Sequence, residues 1–361
     1  MKIPINVPDI DKEEVREITA VLEEKSLTSS SFEGGKRVQQ FEKLLSKFVK
    51  SKFAVAVNSG TAALQASLYA IDVKPGDEIL IPSFTFVATA NSVKSVGAKP
   101  VFVDILKDNY TIDPDDLRKK ITRRTKAIIP VHLYGHMAYM DKILEITKKN
   151  NIKIIEDASQ SLGSKLGGKH SGTFSHLGCF SLYGVKVITS GEGGAIVTDD
   201  KKLFEKLRQI RNHGMGKNSL TTRLGLNLRL PEINAAIAKI QMKKLPRLLN
   251  KRKKNAQILT DLLKNYDVIL PEQRKNETVN WYLYTIALKK RDKAMKKLNT
   301  SGIGARIYYS PPIHKTPYYN TKVRLPNTDW ASSHVLSLPI HPKVRTQDLV
   351  RMKKILSDSR N

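Results

Sequence analysis

From residue 53 onward, short apolar, β-branched runs alternate with stretches long enough to be helices. This alternation constrains the fold more than any other feature of the chain. The runs are FAVAV (53–57), EILIP (78–82), PVFVDI (100–105), AIIPVHL (127–133), IKIIEDA (152–158) and GGAIVT (193–198). Apolar runs separated in this way read as strands of a mostly parallel sheet covered by helices. The expected class is α/β. In such sheets ligands sit beyond the carboxyl ends of the strands, so functional residues are expected just after each run.

The flanking regions are read from periodicity. Asp11 and Glu14 have capping-box spacing, and Val15, Ile18, Val21 and Leu22 share one face of the helix that would follow. A polar, Gly-rich loop, LTSSSFEGGK (27–36), precedes a second helix with Phe41, Leu44, Leu45 and Phe48 on its apolar stripe. Residues 233–263 read as one long helix with Pro246 as a kink or break. It carries the chain from a large domain (1–240) to a smaller α+β domain (241–361). In that tail WYLYTIAL (281–288) and ARIYYS (305–310) are the strand signals, and DKAMKKLNTSG (292–302) is helical.

Composition narrows the function classes. The single cysteine, Cys179, excludes an intrachain disulfide, a four-cysteine zinc site and a CxxC redox motif. No run of about 18 apolar residues is present, and MKIPINVPDIDKEE lacks the apolar stretch of a signal peptide. A cytoplasmic protein without membrane insertion is expected. The 62 Lys and Arg against 34 Asp and Glu give a formal net charge of +28. This excess raises nucleic acid, an anionic membrane or an anionic small substrate as partners. No helix-turn-helix, RNA-recognition or zinc signature accompanies the charge. A basic nucleic-acid-binding regulator therefore stands as an alternative without a motif of its own.

Three segments could carry chemistry. NSGTAAL (58–64) follows the first strand and would present backbone N–H groups and hydroxyls at a helix N-terminus, which suits a phosphate; it could equally be a capped helix start. In IIEDASQSLG (154–163), Glu156 and Asp157 end an apolar strand, where a carboxylate needs a partner; Asp157 could face a ligand's protonated nitrogen or cap a helix. In FSLYGVKVITSGEGG (180–194), Lys186 sits among apolar residues, which favours a neutral, nucleophilic amine; a lysine snorkelling to solvent is the plain alternative. Together they supply what pyridoxal 5′-phosphate requires: donors for its phosphate, a carboxylate for its pyridinium nitrogen and an amine for its aldehyde. PSFTFVATAN (82–91) adds Phe84 and Phe86 as candidates to stack on the ring.

The ordered set NSGTAAL, PSFTFVATAN, GAKPVFVDI, PVHLYGH (130–136), EDASQSLG, FSLYGVKVITSGEGG, RNHGM (211–215) and LGLNLRLPEINAAI (224–237) resembles the DegT/StrS-type sugar aminotransferases, which are fold-type I pyridoxal-phosphate enzymes. GARIYYSPPIHKTPYY (304–319) and LPIHP (338–342) echo the family's C-terminal pattern. The resemblance implies a Schiff base on Lys186, Asp157 on the pyridinium nitrogen and Gln160 near the ring's 3′-oxygen. It places Phe86 against the ring, with Phe84 in the core, and Gly60, Thr61 and Ser181 on the phosphate. Asn227 would reach the phosphate from the neighbouring subunit, which implies a homodimer with shared sites. Tyr183, His213, Tyr309 and His314 are the implied substrate contacts, and no metal is implied. The implied reaction is transfer of an amino group from glutamate to a nucleotide-linked keto-sugar, with a lean toward a 4-keto-6-deoxy sugar, to make an amino sugar for a surface glycan. A branch that dehydrates similar sugars replaces the lysine with histidine; Lys186 argues against it. LGLNLRL departs from the family's Tyr-rich form, and the loop at 28–36 is longer and richer in Gly.

Overall fold

The structure, a computed structural model, describes residues 2–357. Its strands are β1 (Phe53–Val57), β2 (Glu78–Pro82), β3 (Lys99–Val103), β4 (Thr125–Ile128), β5 (Lys153–Asp157), the short pair β6 (Lys165–Leu166) and β7 (Lys169–His170), β8 (Leu177–Ser181), β9 (Gly194–Thr198), β10 (Glu277–Thr278), β11 (Tyr284–Ala287) and β12 (Val335–Leu338). Its helices are α1 (Lys12–Glu23), α2 (Lys36–Val49), α3 (Gly60–Ala70), α4 (Ala88–Ser95), α5 (Pro114–Lys120), α6 (Met140–Asn150), α7 (Lys201–Arg211), α8 (Glu232–Leu263), α9 (Arg291–Thr300), α10 (Pro326–His334) and α11 (Thr346–Ser357). Among the described residues no helix is long and apolar enough to cross a membrane.

Seven strands form the central sheet in the order β1-β9-β8-β5-β4-β2-β3. Within it β9 runs antiparallel to β1 and β8, and the other pairings are parallel. Both faces are covered, which is why the strands read as unbroken apolar runs. In β2, Ile79 and Ile81 pack into one apolar cluster and Leu80 into another on the opposite face. Full burial of each such side chain contributes about 1.5–3 kcal/mol. The carboxyl ends of β1, β2, β4, β5 and β8 therefore meet on one edge, and the chain leaves each of them into a loop on that edge.

The seventh strand, β8, has no counterpart among the expected runs. Its sequence, LGCFS, contains Gly178, and a Cβ there would stand 2.0 Å from the carbonyl oxygen of Gly172. Close backbone approach demands a glycine, and the glycine erases the β signal. AIIPVHL is a strand only to Ile128; Pro130 lacks an N–H, and beyond it Val131 makes a single bridge to Asp157. ARIYYS forms no strand, only a bridge between Arg306 and Ser337.

Helix α1 has the expected capping box, with Asp11 and Glu14 satisfying each other's backbone. Only half of its apolar stripe is buried: Val21 is fully covered and Ile18 partly. Val15 and Leu22 are exposed, while Glu14 is buried and accepts from Lys244 Nζ at 2.7 Å and Gln241 Nε2 at 2.7 Å on α8. That polar pairing sets the rotation of α1. Helix α8 runs through Pro246 without a break. The division at residue 240 falls inside it: Met242, Leu245 and Leu248 join the core beside the central sheet, while Ala256, Leu259 and Leu263 enter a second apolar cluster with Ile3 and residues of β11, β12, α9 and α11.

Candidate active site

The loops after β1, β2, β4, β5 and β8 enclose a cavity of about 550 Å³, closed from the C-terminal side by Tyr282, Tyr308 and Tyr309. Asp157, the last residue of β5, lies in its wall and is almost fully buried. Two donors satisfy the carboxylate: Thr89 Oγ1 to Oδ2 at 2.9 Å, and the Ser159 N–H to Oδ1 at 3.1 Å.

Lys186 lies in the turn between β8 and β9, where its N–H donates to the Tyr183 carbonyl at 2.9 Å. Its amine enters the cavity 4.8 Å from the ring centroid of Tyr282. Desolvation lowers its pKa from 10.5 to about 8, with the Asp157 carboxylate pulling the other way. Among the described residues it is the one cationic side chain lining the cavity.

At the other end, α3 begins on the cavity. Its N-cap Ser59 accepts from the Ala62 N–H, and Gly60, Thr61, Ser159 and Ser181 line the wall beside it. A Cβ on Gly60 would stand 2.9 Å from Ser181 Cβ and 3.4 Å from Ser159 Oγ. The glycine keeps open a pocket of hydroxyls in front of a helix N-terminus, where unpaired N–H groups and the helix dipole favour an anion. Phe86 is 56% exposed on the cavity, with its ring 6.1 Å from Tyr309; Phe84 is fully buried in the core. Gln160 Nε2 donates to the Tyr309 hydroxyl at 3.0 Å and its Oε1 accepts from the Tyr134 N–H at 2.9 Å, so the amide is held from two sides.

The sequence model of the DegT/DnrJ/EryC1/StrS aminotransferase family matches residues 8–357. The chain belongs to this family. It is 38% identical to the UDP-2-acetamido-2-deoxy-3-oxo-D-glucuronate aminotransferase of Pseudomonas aeruginosa over 87% of this chain and 88% of that one. It is 35% identical to the UDP-N-acetyl-3-dehydro-alpha-D-glucosamine 3-aminotransferase of Acidithiobacillus ferrooxidans over 92% and 91%. Its fold superposes on that of Streptomyces venezuelae DesV, solved in complex with a ketimine intermediate, with a TM-score of 0.92 at 32% identity and 98% coverage of both chains.

DegT/StrS aminotransferases use pyridoxal 5′-phosphate, and the cavity fits that group. The hydroxyl pocket at the start of α3 suits its phosphate, and the open face of Phe86 suits its ring. Asp157 is a buried acceptor for a ring N–H, and Lys186 is the amine within reach. Nine of the sequence-derived site residues thus share one cavity: Gly60, Thr61, Phe86, Asp157, Gln160, Ser181, Tyr183, Lys186 and Tyr309.

Three do not line it. His314 is buried at 1% exposure; its Nδ1 pairs with Ser83 Oγ at 2.8 Å and its Nε2 faces Asp329 at 3.6 Å. It ties the C-terminal loop to the end of β2 and does not line the cavity. His213 and Asn227 are exposed on the loop after α7 and do not line the cavity of their own chain. Conversely, Thr89, Ser159, Tyr282 and Tyr308 line the cavity without having been singled out from sequence. Thr89 lies in PSFTFVATAN three residues after Phe86, a spacing that puts both on one helical face. Tyr282 is brought in from far along the chain and carries no such signal.

Proposed function

We propose that this chain transfers an amino group from glutamate to a nucleotide-linked 3-keto-sugar. The observation that carries the reading is that Lys186 and Asp157 face one cavity, with an amine whose pKa is drawn down to about 8. The bound cofactor would supply an electron sink for the pair left behind when a substrate C–H is broken. Asp157 would hold the ring N–H, itself oriented by Thr89 and the Ser159 N–H. Lys186 Nζ would take the proton from the substrate carbon and return it to the other side of the exchange, as a general base and then a general acid. An ordinary lysine is almost wholly protonated at neutral pH; an amine titrating near 8 leaves a working fraction free. Tyr282 and Tyr309, whose hydroxyls burial keeps protonated, line the cavity beside the amine.

Support for C3 comes from the two relatives above, whose names place the keto or amino group at C3 of UDP-linked sugars. The 4-keto-6-deoxy sugar suggested by the sequence is the other acceptor to test. Glutamate as donor follows the family resemblance. For subunit arrangement we propose a homodimer: Asn227 and His213 face outward, next to the exposed Leu220 and Leu224, and would complete a neighbour's cavity. The test is incubation of the pyridoxal-phosphate-loaded enzyme with glutamate and nucleotide-linked 3-keto and 4-keto sugars, with mass spectrometry of the product. Gain of an amine on a 3-keto substrate supports the reading. Amination of 4-keto sugars alone overturns the C3 assignment, and loss of water without amine gain overturns transamination.

A further inference from the structure

Behind the cavity, Arg252 of α8 is 1% exposed and has no carboxylate partner among the described residues. Its Nη1 donates to the carbonyl oxygens of Trp281 and Tyr282, each at 3.2 Å. Its Nη2 donates to Asn6 Oδ1 at 2.5 Å, and its Nε has no hydrogen-bond partner. Asn6 turns its other end toward the lysine loop: Nδ2 donates to the carbonyl of Val185 at 2.8 Å and of Lys186 at 3.3 Å. The segment that delivers Asn6 is itself tied down, by the Ile3–Ile303 bridge and by His341 Nε2 against the Pro4 carbonyl at 3.2 Å.

One buried cation thus reaches both structures that define the lysine's position. Through Asn6 it holds the backbone that carries Lys186. Through the Trp281 and Tyr282 carbonyls it holds the residue whose ring lies 4.8 Å from the amine. A guanidinium buried without a counter-ion is costly, and an apolar side chain of similar volume would serve packing better. Burial pulls Arg252 down only to about 10, so it remains charged at neutral pH. Its fork of donors is what an apolar side chain could not supply.

We propose that Arg252 and Asn6 are positioning residues for Lys186, a clamp that fixes the lysine loop and the Tyr282 ring relative to each other. The proposal rests on the reading of Lys186 as the cofactor-bearing amine. Neither residue touches the cavity; they act through the two backbones they hold.

The test uses the full-length chain freed of cofactor and compares wild type with Asn6→Ala and Asn6→Asp. The aspartate variant keeps an acceptor for Arg252, now as an ion pair, and so retains the fold; it cannot donate to the Val185 and Lys186 carbonyls. Amide hydrogen exchange of residues 182–190 is expected to quicken about tenfold in both variants, the factor for one or two lost hydrogen bonds, with β4 and β5 unchanged. In Asn6→Ala, the pH midpoint for acylation of Lys186, read by mass spectrometry, is expected to rise from near 8 toward the ordinary 10.5 as the loop opens to water. The groups facing that amine are Asp157 from β5, Glu192 before β9, and Tyr183, Tyr282, Tyr308 and Tyr309 around the cavity. None of them changes in Asn6→Ala, so the shift reads the loop. Unchanged exchange at 182–190, or equal acceleration in β4 and β5, overturns the clamp. Borohydride trapping of pyridoxal phosphate on a different lysine in the wild type overturns the underlying reading instead, and the modified peptide distinguishes the two failures.

Discussion

Thr89 on α4 donates a 2.9 Å hydrogen bond to Oδ2 of Asp157 at the end of β5, joining two elements that are 68 residues apart in sequence. The bond orients a carboxylate that is almost fully buried in the cavity wall. Thr89→Val keeps the shape of the side chain and removes the donor. A hydrogen bond to a charged group contributes about 1.5–3 kcal/mol, so kcat is expected to fall roughly tenfold to a hundredfold. Asp157→Ala is expected to cost more, roughly 10²–10³, because the charge itself is removed. Steady-state kinetics on both variants checks the order. A Thr89→Val enzyme with unchanged kcat would show that the Ser159 N–H suffices to hold the carboxylate.

The lowered pKa of Lys186 has a thermodynamic consequence for the cofactor-free protein. The folded pKa of about 8 lies below the unfolded value of 10.5, so between those values the unfolded chain binds more protons. Stability from this group therefore rises with pH across that window, and below 8 the fold carries a partly desolvated charge at a cost on the order of 1–3 kcal/mol. Lys186→Met is expected to raise the Tm of the cofactor-free protein at pH 7, with the advantage shrinking as pH climbs through 8 toward 10. The same variant is expected to lose the visible absorbance of lysine-bound cofactor and all turnover. A Tm advantage that does not vary with pH would contradict the assigned shift.

The residues legible in the sequence are those whose chemistry is conspicuous in their surroundings. A carboxylate closing an apolar strand and a lysine in an apolar turn stand out because each is costly to bury, and both lie in the cavity. Thr89, Tyr282 and Asn6 are neutral, and their neighbours Asp157, Lys186 and Arg252 come from distant parts of the chain, so nothing local marks them. Arg252 is hidden by a different effect: in a helix crowded with solvent-facing lysines, one buried guanidinium looks like the rest. His314 is the converse case. It lies in a motif-rich segment, yet its Nδ1 is paired with Ser83 and the ring is buried outside the cavity. At the level of fold, the parallel strands show because both their faces are covered, while β8 is obscured by the glycine that its close packing requires.

Gly60 is the position where the end of the cavity at the start of α3 depends on an absent side chain. Gly60→Ala would place a methyl 2.9 Å from Ser181 Cβ, which must move the β8 end or the start of α3. That displacement is expected to cost about 1–3 kcal/mol of stability, so the variant is compared with wild type at a temperature where both are folded. Affinity for pyridoxal phosphate, followed by quenching of tyrosine and tryptophan fluorescence, is expected to weaken by about ten- to a hundredfold as N–H and hydroxyl contacts are displaced. Undiminished affinity would move the phosphate away from this helix start.

The placement of Asn227 outside its own cavity gives a test of shared sites that needs no structure of the dimer. Asn227→Ala and Lys186→Ala are each expected to be impaired, the second completely. If Asn227 serves the neighbouring cavity, a mixed dimer of the two contains one site with both defects and one with neither. Random reassortment after unfolding and refolding an equal mixture puts about half the chains in mixed dimers, so close to a quarter of wild-type activity should return. If Asn227 acts within its own chain, each site of the mixed dimer keeps one defect and nothing returns beyond the residual rate of Asn227→Ala. The activity of the reassorted mixture, measured against each parent alone, therefore decides between the two arrangements.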